Sequence, residues 1–448
     1  MIQATDRYND WYPSDFLLFE RHLNGASASP VHAIRQAAIS RFAELGFPTT
    51  HDEEWKYTNV APIARVHFKP IFAGDKHAVA PNDVDVRQFA FAGTHANKLV
   101  FVNGHFSKEF SSLTSLPKGA IVESIASTMR NKGDWVSRNL TAHFHDNAFT
   151  ALNTAFFQDG AMIHIPDNTV LDEPLYVFFI STGGESSFVS HPRSIVLVGK
   201  SSRLSLVESY LGQANTTYFV NTVTEVVAGE QSFVEHTKIQ NEHENAFHVG
   251  SMHVQQRANS NFTSHSISLG AALARNNVAV SLDAEGIECT LNGLAVANGH
   301  QLMDNHTTID HAKPHCNSHQ LYKSILNGNA KGVFNGKIFV RQDAQKTDAK
   351  QTNKTLLLSD EATIDTKPQL EIFADDVKCT HGATVGQLDE EQVFYLRSRG
   401  IETGAARDIL TYAFASDVIN RVTTEPVRDY LGQLLHDRLE EGRERKEV

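Results

Sequence analysis

Between Gly199 and Ile239 the chain reads GKSSRLSLVESYLGQANTTYFVNTVTEVVAGEQSFVEHTKI. Two polar, turn-forming starts, GKSSR at Gly199 and GEQSF at Gly229, stand 30 residues apart, and each opens a run of alternating apolar and polar side chains. A period of two is the signature of a strand. From Met162 onward the same texture continues, in strand-like runs of roughly four to seven residues separated by Gly, Asn, Asp and Ser turns. Further starts fall at Asn259 (NSNFTSHSISL), Glu285 (EGIECTLNGLAV), Lys331 (KGVFNGKIFV) and Glu361 (EATIDTKPQLEI), in steps of 30, 26, 46 and 30 residues. The step of 46 fits two shorter coils with a turn near Asn305. A period of about 25–30 residues with no helix between strands is what a β-solenoid needs, since each coil covers the apolar face of the one before. A β-sandwich would place its turns closer together and less evenly.

The flanks have the helical period. In SPVHAIRQAAISRFAELGFP, Ser29–Pro48, an amphipathic stripe runs through Val31, Ile34, Ala38, Phe42 and Leu45. Ser29 caps it, Pro30 sits in its first turn, and Gly46 with Pro48 ends it. Trp55 and Tyr57 are expected to anchor this region on a neighbour. Residues 98–126 should mix short strands with turns, and NAFTALNTAFFQDG, Asn147–Gly160, should form a short helix closed by its glycine. Near the end, Asp389 is placed to cap a helix with Glu390 and Glu391 at its positive end, Arg397 and Arg399 at the other, and Gly400 as its left-handed stop. A second helix follows Thr403, with Ala406, Ile409, Leu410, Ala413, Phe414 and Val418 on one face. A third follows Pro426, carrying Val427, Tyr430, Leu431, Leu434, Leu435 and Leu439, and the charged tail should fray. The expected organisation is a mostly helical unit over 1–160, a β-solenoid core over 161–386 and a helical unit over 387–448.

A chain of 448 residues exceeds what one core supports. Its 41% apolar and 21% charged content suits a soluble globular protein. An apolar run such as Tyr176–Ile180 falls far short of the ~20 residues of a membrane span, so no membrane partner is expected. MIQATDRYND has neither the basic nor the apolar region of a secretory signal. Three cysteines make no disulfide framework and point to a reducing cytoplasm. A net charge of −12 opposes phosphate neutralisation, so no nucleic-acid partner is expected either.

Two stretches carry candidate chemistry. In DDVKCTHGATVG, Asp375–Gly386, Cys379 and His381 fall on one face of a strand and offer a thiolate and an imidazole, ligands for zinc, copper(I) or cluster iron. Two ligands do not close a four-coordinate site, and spacing by itself favours a small thiol and a hydrogen-bonded histidine at a strand end. In DHAKPHCNSHQLYK, Asp310–Lys323, the set His311, His315, Cys316 and His319 resembles a metal cluster, but Pro314 breaks any helix and no CxxC is present. On an extended chain His315 and His319 would share a face with Cys316 opposite; a structural role is favoured over a zinc or iron site. The chain has no GxSxG elbow and no glycine loop for a nucleotide, so an associated ATPase would be another chain. A carbohydrate-active β-helix enzyme and a stand-alone zinc- or iron-binding protein are the competing readings.

The segments AQKTDAKQTNKTLLLS (Ala344–Ser359), DTKPQLEIFADDVKCTHGATVG (Asp365–Gly386) and FYLRSRGI (Phe394–Ile401) closely resemble the SufB/SufD family of the SUF iron–sulfur cluster assembly system. EEWKYT (Glu53–Thr58) and FTALNTAFFQDG (Phe149–Gly160) fit it too. Of the two branches the chain is similar to the SufD-like one, in its GATVGQLDEEQVFYLRSRGI ending and its lack of the further cysteines of the SufB-like branch. The resemblance implies a right-handed parallel β-helix between helical domains; the periodicity left the handedness open. It implies a non-enzymatic scaffold subunit that pairs with a SufB-like paralogue through the β-helices. It also implies a SufC-like ABC-type ATPase docked on a C-terminal segment with Phe394, Tyr395, Arg397, Arg399, Gly400 and Ile401. A transient iron–sulfur cluster or iron would be shared with the SufB-like partner and not held tightly by the isolated chain, with His381 as the leading ligand and Cys379 beside it. Cys316 and His315 are weaker candidates. Gly382–Gly386 would make the turn from solenoid to helices, and the isolated chain would homodimerise through an exposed solenoid surface.

Overall fold

In a computed structural model describing residues 11–444 apart from 24–28, 73, 76–83, 94–95, 115, 141–146, 183–185 and 214–215, the alternating runs form two facing sheets. Successive strands alternate between the sheets, so each pairs in parallel with the strand two further along. One sheet stacks Arg203–Gly212, Phe233–Asn241, Asn261–Ser268, Glu288–Ala297, Asn317–Leu326, Asp348–Leu357 and Lys378–Gly386. The other stacks Tyr218–Ala228, Ala246–Gln256, Leu273–Leu282, Leu302–His311, Lys331–Val340 and Thr363–Ile372. The result is a β-solenoid of about 8 turns flanked by helices. Register is continuous: Leu204, Val234, Phe262, Cys289, Ser318, Ala349 and Cys379 form one inward column. The stack starts early, since Asn97–Val102 pairs in parallel with Leu175–Ser181, and Ile121–Ser124 runs antiparallel to Ala161–Ile165.

The expected turn near Asn305 is absent. Asn305 lies inside Leu302–His311 with its side chain buried. The starts at Gly199, Gly229, Asn259 and Glu285 open strands of one sheet, whereas Lys331 and Glu361 open strands of the other. The step of 46 residues is therefore a change of sheet, which alternation cannot reveal because both sheets share it. The strands are also longer than the apolar runs, 8 to 11 residues in the regular coils. Polar residues such as the buried Glu208 and Asn276 and the half-buried Lys238 sit mid-strand and look like turn residues in the sequence.

At the N-terminal side, Pro30–Leu45 forms as expected. The Ser29 side chain accepts from His32 N at 3.3 Å, and Gly46 N donates to Phe42 O at 2.8 Å. Val31, Ala38 and Phe42 are buried, but Leu45, the last residue of the helix, is 37% exposed. Ala148–Phe156 is capped by Asn147 and buried along its whole length against Pro30–Leu45 and the Tyr218–Ala228 strand. It ends at Phe157 rather than at Gly160. Gly160 instead has φ 148° and lies so close to the neighbouring chain that a Cβ there would sit 1.8 Å from Arg193 O. Trp55 anchors its segment, with the Arg275 guanidinium 3.6 Å from its ring centre, but Tyr57 is 40% exposed and does not. The helix Ile125–Asn139 is not among the expected elements; the backbone leaves helical geometry inside it at Lys132, φ −145°, just before Gly133.

The C-terminal helices Glu390–Ser398, Thr403–Ile419 and Glu425–Glu444 follow the last coil. Val418, Ile419, Val427, Leu431 and Leu435 pack on the outer side of the first sheet against Val207, Ile239, Ile267, Leu294 and Ile325. Lys323 fastens this joint, its Nζ donating to Phe414 O and meeting Asp417 Oδ2, both at 2.9 Å. Of the face expected on Thr403–Ile419, Ala406 and Val418 are buried while Ile409 and Ala413 are exposed; Ala415 and Ile419 take their places. No helix among the described residues is long and apolar enough to cross a membrane.

Candidate functional site

Both sheets end at the same place. Thr363–Ile372 and Lys378–Gly386 each have a neighbour on one side only among the described residues, so this end of the stack presents an unpaired edge on each sheet. Here the inward columns come to the surface. Cys379 continues the column of Ala349, His381 that of Gln351, and Val385 that of Thr355. Cys379 is half-buried against Ile338, Val340, Ala349 and Ala374, while His381 is exposed. The structure thus places both side chains on one face of the terminal strand, with no further coil above them. Burial pushes the Cys379 thiol up and nearby Asp348 adds to this, opposed by a hydrogen bond from the Ala349 backbone, so the group is a protonated thiol at neutral pH. Gly382–Gly386 do not make a turn: they belong to the strand, and nothing lies within 4 Å of where a Cβ of Gly382 or Gly386 would stand. The chain leaves the solenoid just after them, with Asp389 capping the next helix by accepting from Glu391 N at 2.9 Å.

Around the open end the surface is apolar for a protein exterior. Ile372 is 39%, Phe373 57% and Val385 48% exposed. Ion pairs rim it, Lys346 with Asp376 and Lys337 with Glu371.

The second candidate cluster does not assemble. Its premise was an extended chain, but His315 has φ 59° in the turn between Leu302–His311 and Asn317–Leu326, so it shares no strand face with His319. His311 is buried, its Nε2 2.9 Å from Ser318 Oγ, and burial pushes its imidazole down to about 4. The Cys316 thiol is buried and donates to Ala284 O at 3.1 Å. His319 lies at the surface, 3.7 Å from Asp348. Among the described residues no three His, Cys, Asp or Glu side chains are grouped to hold a metal ion.

The Glu390–Ser398 helix buries only Val393. Phe394 is 71% and Tyr395 57% exposed, and Arg397 is exposed beside them. Arg399 folds back over the Tyr395 ring at 5.1 Å and donates to its hydroxyl at 3.1 Å. Gly400 takes the left-handed conformation expected of it, at φ 86°, and Ile401 N reaches back to Leu396 O at 3.4 Å. An Arg407–Glu390 pair at 3.2 Å ties this helix to the next, which exposes Ile409 and Tyr412.

One feature of the interior escaped the sequence reading. Deep in the solenoid, Glu208 pairs with His236 at 3.1 Å, Glu242 with His248 at 2.7 Å, and Lys238 Nζ lies 2.8 Å from His248 and 2.6 Å from Asn276. Burial lowers the Lys238 ammonium to about 8. The signal was present as Glu208 and Lys238 at inward positions of paired strands, but inwardness depends on a register known only after folding.

Comparison with known proteins agrees with this architecture. The profile described as SUF system FeS cluster assembly, SufBD core domain, matches residues 179–414, and that of the SufBD protein N-terminal region matches residues 3–177. An iron–sulfur cluster assembly SufBD family protein of Synechocystis sp. is 33% identical over 409 residues, covering 89% of each chain. The iron–sulfur cluster assembly protein SufD of Escherichia coli is 30% identical over 424 residues, 94% of this chain and 96% of its own. The chloroplastic protein ABCI7 of Arabidopsis thaliana is 29% identical over 411 residues, 90% of this chain and 85% of its own. With the solenoid between its helical flanks, both profiles matched and relatives aligned almost end to end, the chain belongs to the SufBD family of the SUF iron–sulfur cluster assembly system.

Proposed function

We propose that this chain is a scaffold subunit that contributes one wall of a shared iron or iron–sulfur site. The carrying observation is the terminal strand: two soft-metal ligands, Cys379 and His381, on one face of an unpaired edge, with no closed ligand set among the described residues. A SufB-like paralogue docked on the open end supplies the rest, and covers Ile372, Phe373 and Val385 as it does so. Iron or the nascent cluster is cargo here, and His381 is its leading ligand. The raised Cys379 thiol must lose its proton on binding, which a metal inside a closed interface favours. Cys316 and His315 take no part. In isolation the chain homodimerises through the same end.

The exposed Phe394 and Tyr395, with Arg397, Arg399, Gly400 and Ile401, form the dock for a SufC-like ABC-type ATPase, the source of ATP-driven change in the assembly. The chain supplies no catalytic group of its own. This reading keeps the division into units 1–160, 161–386 and 387–448, and places the protein in the cytoplasm.

The test is co-purification with the two partners, with iron measured in the assembled complex. His381→Ala should leave the complex intact and lower its iron or cluster content. A mutant complex that forms clusters normally would remove His381 from the site.

A further inference from the structure

We infer that Gln351 is a positioning residue for His381, an inference that rests on the reading of His381 as a ligand. Gln351 lies on Asp348–Leu357 directly beneath His381 in register, on the same inward face. It is 2% exposed, and neither its Nε2 nor its Oε1 has a hydrogen-bond partner among the described residues. A buried amide with both ends unpaired is destabilising and seldom kept in native proteins. The fold nevertheless makes room for it. Across the lumen stands Gly336, where a Cβ would lie 2.0 Å from Gln351 Nε2 and 2.7 Å from its Cδ. Beneath it in the same column, Gln320 uses its Oε1 to accept from Thr307 Oγ1 at 2.7 Å, but its Nε2 is likewise unpartnered among the described residues. The column therefore rises through two incompletely paired amides to an imidazole that itself bonds to no described residue.

Adjacent coils are about 4.8 Å apart, within reach of a glutamine side chain. A ligating histidine needs its second ring nitrogen held, because the bond made there fixes the tautomer and the ring's orientation. Gln351 Oε1 accepts that N–H once a partner covers the end, leaving the other nitrogen's lone pair aimed across the interface. An amide does this without burying a further charge.

The test uses the assembled complex, purified without oxygen and titrated with iron(II). Gln351→Met should weaken iron(II) binding by about 10–100-fold. Gln351→Glu, which restores the acceptor, should stay within a few-fold of wild type. The thermal midpoint of the isolated Gln351→Met chain should be unchanged or higher, since two buried atoms that are unpaired without the partner are removed; a lower midpoint of the isolated chain together with weaker binding in the complex would mean a merely structural amide and overturn the inference. Wild-type binding by Gln351→Met, in a system where His381→Ala loses iron, refutes the positioning role and leaves the site standing. Unchanged binding by His381→Ala refutes the site, and the inference with it.

Discussion

At the scale of single residues, burial decides what each titratable group does. His311 is held neutral inside the solenoid, pushed down to about 4, with Ser318 as its partner. Its ordinary value is near 6.5, so its folded pKa is depressed. The stability it contributes is fully present above about 6.5 and is lost as pH falls from there toward 4, at about 1.4 kcal/mol per pH unit. Urea unfolding at pH 7 and at pH 5 should show this loss, and His311→Gln, which keeps a side chain able to bond Ser318, should lessen it by roughly 2 kcal/mol. An equal pH dependence in the variant would show that other groups carry it. Cys379 stands opposite to His311 in this respect, because its surroundings are incomplete: its column stops at the open end of the stack.

At the scale of elements, the joints between helix and solenoid are where backbone meets backbone. Gly160 joins the helix Ala148–Phe156 to the first coils, at φ 148° and against the Arg193 main chain. Neither partner in that contact is a flexible side-chain tip. Gly160→Ala should therefore destabilise the protein by more than about 3 kcal/mol. Gly386→Ala, on the uncovered edge with nothing nearby, should change stability by less than about 0.5 kcal/mol. Paired denaturation curves measure both, and similar losses at the two sites would contradict the contact at Gly160. Elements were also where the sequence was only partly legible. The helix from Pro30 and the one capped by Asp389 announce themselves through local capping chemistry. The exposed Tyr57 and Ile409 do not, since an apolar side chain looks alike whether or not a neighbour covers it.

At the scale of the whole molecule, the two surfaces proposed for partners are the open end of the solenoid and the outer helical cap. Removing the chain from Asp389 onward would test the cap poorly, because it would also uncover Val207, Ile239, Ile267 and Leu294 on the sheet beneath. The exposed pair is the cleaner target. Phe394→Glu with Tyr395→Glu should alter folding stability by less than about 1 kcal/mol. The same change should weaken ATPase binding at least about tenfold in a pull-down or by calorimetry, as expected for exposed aromatic anchors. Undiminished binding would move the dock elsewhere on the chain.

The sequence by itself determined the strand period, the capped helices that start at Pro30, Ala148 and Glu390, and the placing of Cys379 with His381 on one face. These are local properties, set by alternation and turn chemistry within a few residues. Only the tertiary structure decided which sheet each strand joins, that Glu208, Lys238 and Gln351 point inward, and that the His311–His319 cluster disperses around a turn. These depend on register and on what lies across the lumen, and a period of two is the same on both sheets. The tertiary structure likewise decided that Cys379 and His381 stand at an end rather than in the middle of the stack. That position turns two inward side chains into a surface.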